Sequence, residues 1–320
     1  MSYPKLKYAD VPLDRADALR RDPGWLAERL RNPDTMVIPV WRDRNMISGV
    51  DTPHMHSVAC RQEVGARVLE AASEIVFLGV TDNDVALFAA DLSACEEEEA
   101  VTLAGGGACL DLRRVGPLVE SKQASLMAYA RGILYWHRQH QYCGRCGHPT
   151  ESRDGGHRRQ CTHTDCAHKT FPRTDPAVIM LVEYRPQDGL PPVCLLGNHH
   201  RLPSNVYSTL AGFVEPGESL EETVIREVSE EAGVKVGHVV YQGSQPWPFP
   251  SSIMLGFRAQ AETTDLLIDQ HELKEARWFT ADEVRTFGEW GDEKADFCLP
   301  RKDSIARFLV ASWVAEVTRL

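Results

Sequence analysis

Residues 212–234 read Gly212-Phe213-Val214-Glu215-Pro216-Gly217-Glu218-Ser219-Leu220-Glu221-Glu222-Thr223-Val224-Ile225-Arg226-Glu227-Val228-Ser229-Glu230-Glu231-Ala232-Gly233-Val234. This is a loop running into a helix. Ser219 suits the N-cap, and Glu222 three residues on completes a capping box. Leu220, Val224, Val228 and Ala232 recur every fourth position, an apolar stripe for a core. Gly233 suits the position where the chain must leave the helix. Glu227, Glu230 and Glu231 then share one face. Like charges at that spacing repel by about 0.2–0.5 kcal/mol per pair, and a divalent cation turns the repulsion into attraction. An all-oxygen donor set suits Mg2+ or Mn2+, which also bring substrate phosphates as ligands. The bland alternative is an exposed acidic helix.

Ten residues after this stretch comes Ser244-Gln245-Pro246-Trp247-Pro248-Phe249-Pro250-Ser251-Ser252. Three alternating prolines fix φ and keep the segment extended. They frame two aromatic side chains, Trp247 and Phe249. Alone, such a segment reads as a rigid loop at the edge of a core.

Together the two stretches resemble a known family. The first fits G-x5-E-x7-R-E-U-x-E-E-x-G-U (U apolar), the Nudix box of hydrolases that cut nucleoside diphosphates linked to another group. The second is similar to the S-Q-P-W-P-F-P-x-S signature of the NADH pyrophosphatase branch of those enzymes. The resemblance implies cleavage of NADH to reduced nicotinamide mononucleotide and AMP, and removal of NAD caps from RNA 5′ ends by the same bond cleavage. It gives Gln245, Pro246, Trp247, Pro248, Phe249, Pro250, Ser251 and Ser252 a place along the dinucleotide. It gives Glu218 and Arg226 a bracing role between loop and helix, with Gly212 and Gly233 as structural positions. Glu227, Glu230 and Glu231 become the catalytic metal-binding carboxylates. The Ala211 backbone carbonyl and Glu272 become further metal ligands, and Ala306 a substrate contact. Glu272 reads equally well as a surface glutamate and Ala306 as helix packing. The run Phe171-Pro172-Arg173-Thr174-Asp175-Pro176 resembles the family's entry into its first catalytic strand. Phe171 replaces the usual tyrosine there, keeping an aromatic face and losing a hydroxyl.

Nine cysteines in 320 residues do not make a disulfide scaffold. Four of them fall as Cys143-x2-Cys146-x14-Cys161-x4-Cys166, two close pairs that read as a zinc ribbon. Four thiolates close a tetrahedral site and leave no open position, so the zinc is structural. His148, His157, His163 or His168 replacing one cysteine is the alternative. The family carries such a ribbon before its Nudix domain. Arg158, Arg159, Lys169 and Arg173 form a local basic group that either touches RNA phosphates or is a solvated face. A net charge of −11 opposes nonspecific binding to nucleic acid and favours the solvated face.

The composition, 43% hydrophobic and 25% charged, is that of a globular chain. No apolar run approaches membrane-spanning length. The opening residues, Met1 to Tyr8, lead into charged sequence rather than an apolar signal core. Unpaired Cys60, Cys95, Cys109, Cys194 and Cys298 favour a reducing compartment, so the cytoplasm is expected. Residues 1–140 carry no catalytic motif. Short β-like runs fall at 35–41, 75–80 and 85–90, and 121–140 reads as a helix. Gly105-Gly106-Gly107 lacks the lysine and the strand-to-helix setting of a phosphate loop.

The expected fold is α+β: a Nudix α/β/α sandwich over 173–320, preceded by a zinc ribbon over 141–172 and, by the resemblance, a Nudix-like N-terminal domain over 1–140. The expected activity is metal-dependent NAD(H) diphosphatase, with NAD-capped RNA as a further substrate and, again by the resemblance, a homodimer. Two readings compete with it. One is a Nudix hydrolase of ADP-ribose or a diadenosine polyphosphate. The other is a zinc-ribbon RNA-binding module on an inactive scaffold.

Overall fold

The protein was analysed as a computed structural model that describes residues 5–50, 52, 54–187 and 189–319. Met1–Pro4, read above as part of the chain's opening, lie outside the described residues. The chain divides into two compact units. The C-terminal unit comprises 175–246 and 252–319 together with Leu6; the N-terminal unit comprises Lys7–Thr174 and Trp247–Ser251. The ribbon packs as part of the N-terminal unit. The segment from Trp247 to Ser251, expected within the C-terminal domain, also belongs to the N-terminal unit.

In the N-terminal unit, helix α1 (Pro23–Arg31) precedes a mixed sheet of β1 (Met36–Trp41), β2 (Arg44–Ser48), β3 (His56–Ser57), β4 (Glu74–Val80), β5 (Ala86–Asp91) and β6 (Ala108–Leu110). The strand order is β3-β2-β1-β5-β4, with β6 on β2. β1 runs parallel to β5 and antiparallel to β2. Side chains alternate across a strand. Val37 and Trp41 therefore enter one apolar layer, which also takes in Val68 of α2 (Gln62–Ala71) and Ala100 of α3 (Glu97–Leu103). Ile38 and Val40 enter the opposite layer with Ala130, Ile133 and Leu134 of α5 (Ser121–Gln139), which follows the short α4 (Leu112–Val115). α5 also gives Ala124, Met127 and Ala128 to a further apolar cluster with Tyr8 and Leu112, so it is buried on more than one side.

The ribbon is a three-stranded sheet of β7 (Thr150–Arg153), β8 (Arg158–Cys161) and β9 (Lys169–Thr170). Its seat in the N-terminal unit is polar, with Arg159 at its centre. Arg159 is 4% exposed and donates to Glu74 Oε2 at 2.7 Å, to His137 Nδ1 at 2.8 Å and to Thr150. The fully buried His137 donates from Nε2 to the Gly156 carbonyl at 2.7 Å. Arg159 is thus part of neither a solvated face nor an exposed basic patch. A buried guanidinium keeps its charge when acceptors surround it, and spacing alone does not reveal those acceptors.

The C-terminal unit repeats the layered plan. Its sheet comprises β10 (Asp175–Tyr184), β11 (Val193–His199), β12 (Leu210–Phe213), β13 (Val236–Trp247), β14 (Ser252–Ala261) and β15 (Leu273–Thr280). The order is β13-β14-β10-β11-β15, with β12 on β10. β10 runs parallel to β14 and antiparallel to β11 and β12. Its unbroken apolar run serves both faces. Val178, Met180 and Val182 pack on α6 (Leu220–Ala232), whereas Ile179 and Leu181 pack toward α7 (Ala281–Arg285) and α8 (Ile305–Val317). This is the expected α/β/α sandwich, with α6 the one helix on that face among the described residues. The proline-framed segment, read as an extended loop, leaves directly from β13.

Candidate active site

Helix α6 is held at both ends. Ser219 Oγ accepts from the Glu222 amide at 3.2 Å, and Glu222 Oε2 accepts from the Ser219 amide at 2.7 Å. At the other end Gly233 has φ 71°, and a Cβ there would lie 2.6 Å from Leu267 Cβ. The last carbonyls of α6 accept from the following loop, Ala232 from the Leu267 amide and Glu231 from the Asp269 amide. That loop carries Glu272 to the same end of the helix. Val224, Val228 and Ala232 are fully buried, each valine contributing about 1.5–3 kcal/mol. Their packing fixes the rotation of α6 about its own axis, and with it the direction of each glutamate.

The three glutamates do not point alike. Glu231 is 1% exposed; its Oε1 accepts from the Ala211 amide at 3.3 Å, and its Oε2 is buried with no hydrogen-bond partner. Burial, then the charges of Glu272 and Glu227, push its carboxyl up to about 8. Glu227 is 8% exposed and packs against Gly212, where any Cβ would collide with the carboxylate; burial raises its carboxyl as well. Glu230 turns outward, its side chain 59% exposed.

Arg226 organises this face. Its Nε donates to Glu218 Oε1 at 2.6 Å and its Nη2 to Glu218 Oε2 and the Phe213 carbonyl, both at 2.9 Å. Its Nη1 donates to Glu227 at 2.8 Å and Glu230 at 2.9 Å. Glu218 also accepts from the Glu215 amide and the Thr223 hydroxyl. The Arg226 guanidinium, with those donors, holds its carboxyl down at about 2. One cation thereby ties the loop to the helix and draws Glu227 and Glu230 toward itself. Glu272 is exposed, and its charge acts on both Glu227 and Glu231.

A hard divalent cation fits these donors. The set is all oxygen, it includes a buried carboxylate oxygen with no proton donor, and it holds acids pushed toward their neutral forms by burial and then by mutual repulsion. Bound cation removes each of those costs at once.

The other residues expected to touch substrate separate into groups. Gln245 is fully buried and its side chain is taken up elsewhere: Nε2 donates to the Asp303 carbonyl at 2.7 Å, and Oε1 accepts from the Ile305 amide at 2.8 Å. Its side chain braces the start of α8. Ala306 is 4% exposed in the core beneath α8, so its side chain packs. Trp247 and Phe249 meet edge-on at 5.0 Å in the N-terminal unit, where Tyr8 lies edge-on to both. Phe171 is 49% exposed. Pro246 and Pro250 are exposed, Pro248 is buried, and Ser251 and Ser252 are half-buried.

Sequence reading missed Arg201, whose positive charge acts on Glu231. Its turn is anchored beside Glu272: the His200 amide donates to the Glu272 carbonyl at 3.3 Å, and His200 Nε2 donates to the Gln270 carbonyl at 2.9 Å. The basic run His199-His200-Arg201 shortly before the box was the available signal.

In the ribbon, Cys143, Cys146, Cys161 and Cys166 bring their sulfurs within 4.8 Å of one another. Sγ–Sγ distances of 3.8 Å (Cys143–Cys166) and 3.4 Å (Cys146–Cys161) match the separation of about 3.8 Å that tetrahedral Zn–S bonds of about 2.3 Å require. The Arg145 amide donates to Cys143 Sγ at 3.4 Å and helps pull that thiol down to about 7. These residues fit a structural zinc ion. His148 and His163 stack on each other beside Cys146, their centroids 4.3 Å apart.

Three family descriptions match in succession: an NADH pyrophosphatase-like rudimentary NUDIX domain over residues 34–136, an NADH pyrophosphatase zinc ribbon domain over 138–171, and a NUDIX domain over 173–297. The chain belongs to the Nudix hydrolase family. This Nudix protein is 43% identical over 202 residues to the human NAD-capped RNA hydrolase NUDT12, covering 61% of this chain and 43% of that one. It is 40% identical over 211 residues to the NAD-capped RNA hydrolase NudC of Mycobacterium bovis, covering 64% and 65%. The match thus spans less than two thirds of either relative's length. A solved NUDIX hydrolase from Nitrosomonas europaea is 23% identical, with a TM-score of 0.35 over 45% of this chain and 79% of that one. Among the described residues, no helix is long and apolar enough to cross a membrane.

Proposed function

We propose that this protein hydrolyses the pyrophosphate bond of NAD(H), giving nicotinamide mononucleotide and AMP, and that it acts likewise on NAD-capped RNA. The observation that carries the reading is Glu231, a fully buried carboxylate whose Oε2 has no partner, on a helix that follows the Nudix pattern. The names of the relatives above and the Ser244–Ser252 segment narrow the substrate to a nicotinamide dinucleotide.

In this reading Glu227, Glu230, Glu231, Glu272 and the Ala211 carbonyl would hold Mg2+ or Mn2+. The ion, when bound, neutralises diphosphate charge and acidifies an attacking water. The chain's own residues do the rest. Arg226 and Glu218 set the loop against α6, and Gly212 leaves room for the Glu227 carboxylate. Without a cation the Glu231 carboxyl is pushed up to about 8 and keeps its proton at neutral pH; with the cation bound it would be a carboxylate, able to accept a proton from the attacking water. Phe171, Trp247, Phe249 and the prolines between offer flat faces to nicotinamide or adenine, and Gln245 fixes the base of their segment. Ser251, Ser252 and the Ala306 backbone complete the contacts. Catalysis belongs to 173–320, with the ribbon at 141–172 and the Nudix-like domain at 1–140. A homodimer and a cytoplasmic address are part of the proposal, supported by the family resemblance and by the unpaired thiols respectively.

The test is a substrate panel with Mg2+ or Mn2+: NADH, NAD+, NAD-capped RNA, ADP-ribose and diadenosine tetraphosphate. Preferred cleavage of NADH or NAD-capped RNA to a nicotinamide mononucleotide end is expected. Preference for ADP-ribose or the diadenosine compound, or no turnover of any, overturns the reading.

A further inference from the structure

Arg131 stands out among the charged side chains. It lies on α5, is 7% exposed, and sits in the N-terminal unit with the Trp247–Ser251 segment. Its Nε donates to the Asp43 carbonyl at 2.7 Å, and its Nη1 has no hydrogen-bond partner. Among the described residues no carboxylate pairs with it. The nearby acids are engaged by other arginines: Asp43 and Asp91 pair with Arg138, and Asp111 pairs with Arg113. Burial disfavours its charge; Asp43 and Asp111 offset this in part from a distance, and the repulsion of Arg113 and Arg138 adds to it. A buried cation without a counter-ion is costly, and a leucine or methionine would fill an ordinary core position without that cost.

What faces the guanidinium is an aromatic ring. The Arg131 guanidinium carbon lies 4.9 Å from the centroid of Phe249, and that of Arg113 lies 5.8 Å from it. Tyr8 and Trp247 meet the same ring edge-on, at interplanar angles of 74° and 78°. One residue on, a Cβ at Gly132 would lie 3.4 Å from Pro248 Cβ. Arg131 and Gly132 thus lie side by side on one helix against adjacent residues of the segment, the cation against the ring and the glycine against the proline.

We infer that Arg131 is a positioning residue for the dinucleotide: by holding the face of Phe249 it sets the aromatic surface that a base or nicotinamide ring meets. The inference rests on the proposed place of that segment along the substrate. A cation–π contact orients the ring plane toward the charge, which apolar packing alone does not do.

The experiment compares Arg131→Met, Arg131→Lys, Phe249→Leu and the double variant Arg131→Met/Phe249→Leu in the full chain. Arg131→Met should raise KM for NADH about tenfold, the scale of a desolvated cation–π contact, while kcat stays within about twofold. Arg131→Lys should recover part of the loss. In the Phe249→Leu background, Arg131→Met should add nothing. Amide exchange over 245–252 should quicken in the methionine variant and less so in the lysine variant. An unchanged KM, or the same increment in the Phe249→Leu background, overturns the inference. Should the methionine variant fail to fold, the lysine variant decides: an intermediate KM supports the role and a wild-type KM overturns it. If the wild type does not turn over NADH, the functional proposal falls by itself. The exchange readout then decides the Arg131–Phe249 contact alone, and unchanged exchange in both variants overturns it.

Discussion

Glu74 and Glu231 occupy comparable settings and have opposite fates. Each is a poorly exposed carboxylate in a six-stranded mixed sheet sandwich, one in each unit. Burial pushes Glu74 up, but His137, Ser152 and Arg159 outweigh it and hold that carboxyl below its ordinary value. Glu231 has one backbone amide and two repelling neighbours, and rises to about 8. Similar layers thus host a carboxylate that is fully answered and one that is not. The N-terminal unit spends its acids on seating the ribbon. The C-terminal unit keeps an acid in an unstable condition that a cation would relieve.

The sharpest way to break the comparison is to neutralise each acid. Glu231→Gln should lower kcat for NADH on the order of 10²–10⁴-fold while leaving thermal stability unchanged or higher. Glu74→Gln should do the reverse, costing about 3–5 kcal/mol by leaving Arg159 buried and poorly paired, as read by denaturant unfolding. Equal stability losses in the two variants would erase the distinction.

Arg226→Met comes next. It removes charge-assisted bonds to Glu218, Glu227 and Glu230 and should destabilise the C-terminal unit by about 1.5–3 kcal/mol. Chemical denaturation checks it, and an undisturbed midpoint would show that the brace is not needed for folding.

A smaller effect is expected from pH in the N-terminal unit. Burial lowers His157 to about 4, with Nε2 donating to the Phe77 carbonyl at 2.8 Å and with Arg15, Arg20 and His137 nearby. The unfolded chain takes up this proton near 6.5 and the folded chain only near 4. Stability from this group is therefore complete above about 6.5 and is lost as pH falls toward 4, by on the order of 1–3 kcal/mol. His157→Gln should flatten that part of the stability–pH curve, and an unaltered slope would remove His157 from the account. The least effect is Ser219→Ala, which opens the capping box at a cost of about 1 kcal/mol, measurable as a shift in Tm.

Much of this was legible because it depends on local rules. The Ser219 cap, the Gly233 exit, the valine stripe of α6 and the thiolate pairs follow from short-range spacing. The layered sheet over 173–320 followed from strand patterns read with the family resemblance. What escaped depends on distant partners. Gln245 looked like part of a ligand segment, yet its amide is claimed by Asp303 and Ile305 some sixty residues later. Arg159 looked like surface charge, yet Glu74 lies opposite it. Arg131 passed unnoticed within the helix read over 121–140, because the ring it faces is more than a hundred residues away in sequence. The outward turn of Glu230 was hidden too: one helical face still spans directions from core to solvent.

The central claim is that the buried glutamates of α6 hold divalent cations against a diphosphate. The direct test is anomalous diffraction from crystals soaked with Mn2+ and a non-hydrolysable dinucleotide. The account predicts manganese peaks against the Glu231 and Glu227 carboxylates, with the ligand's diphosphate beside them. Manganese bound elsewhere, with both carboxylates free of it and the diphosphate seated away from α6, would contradict it.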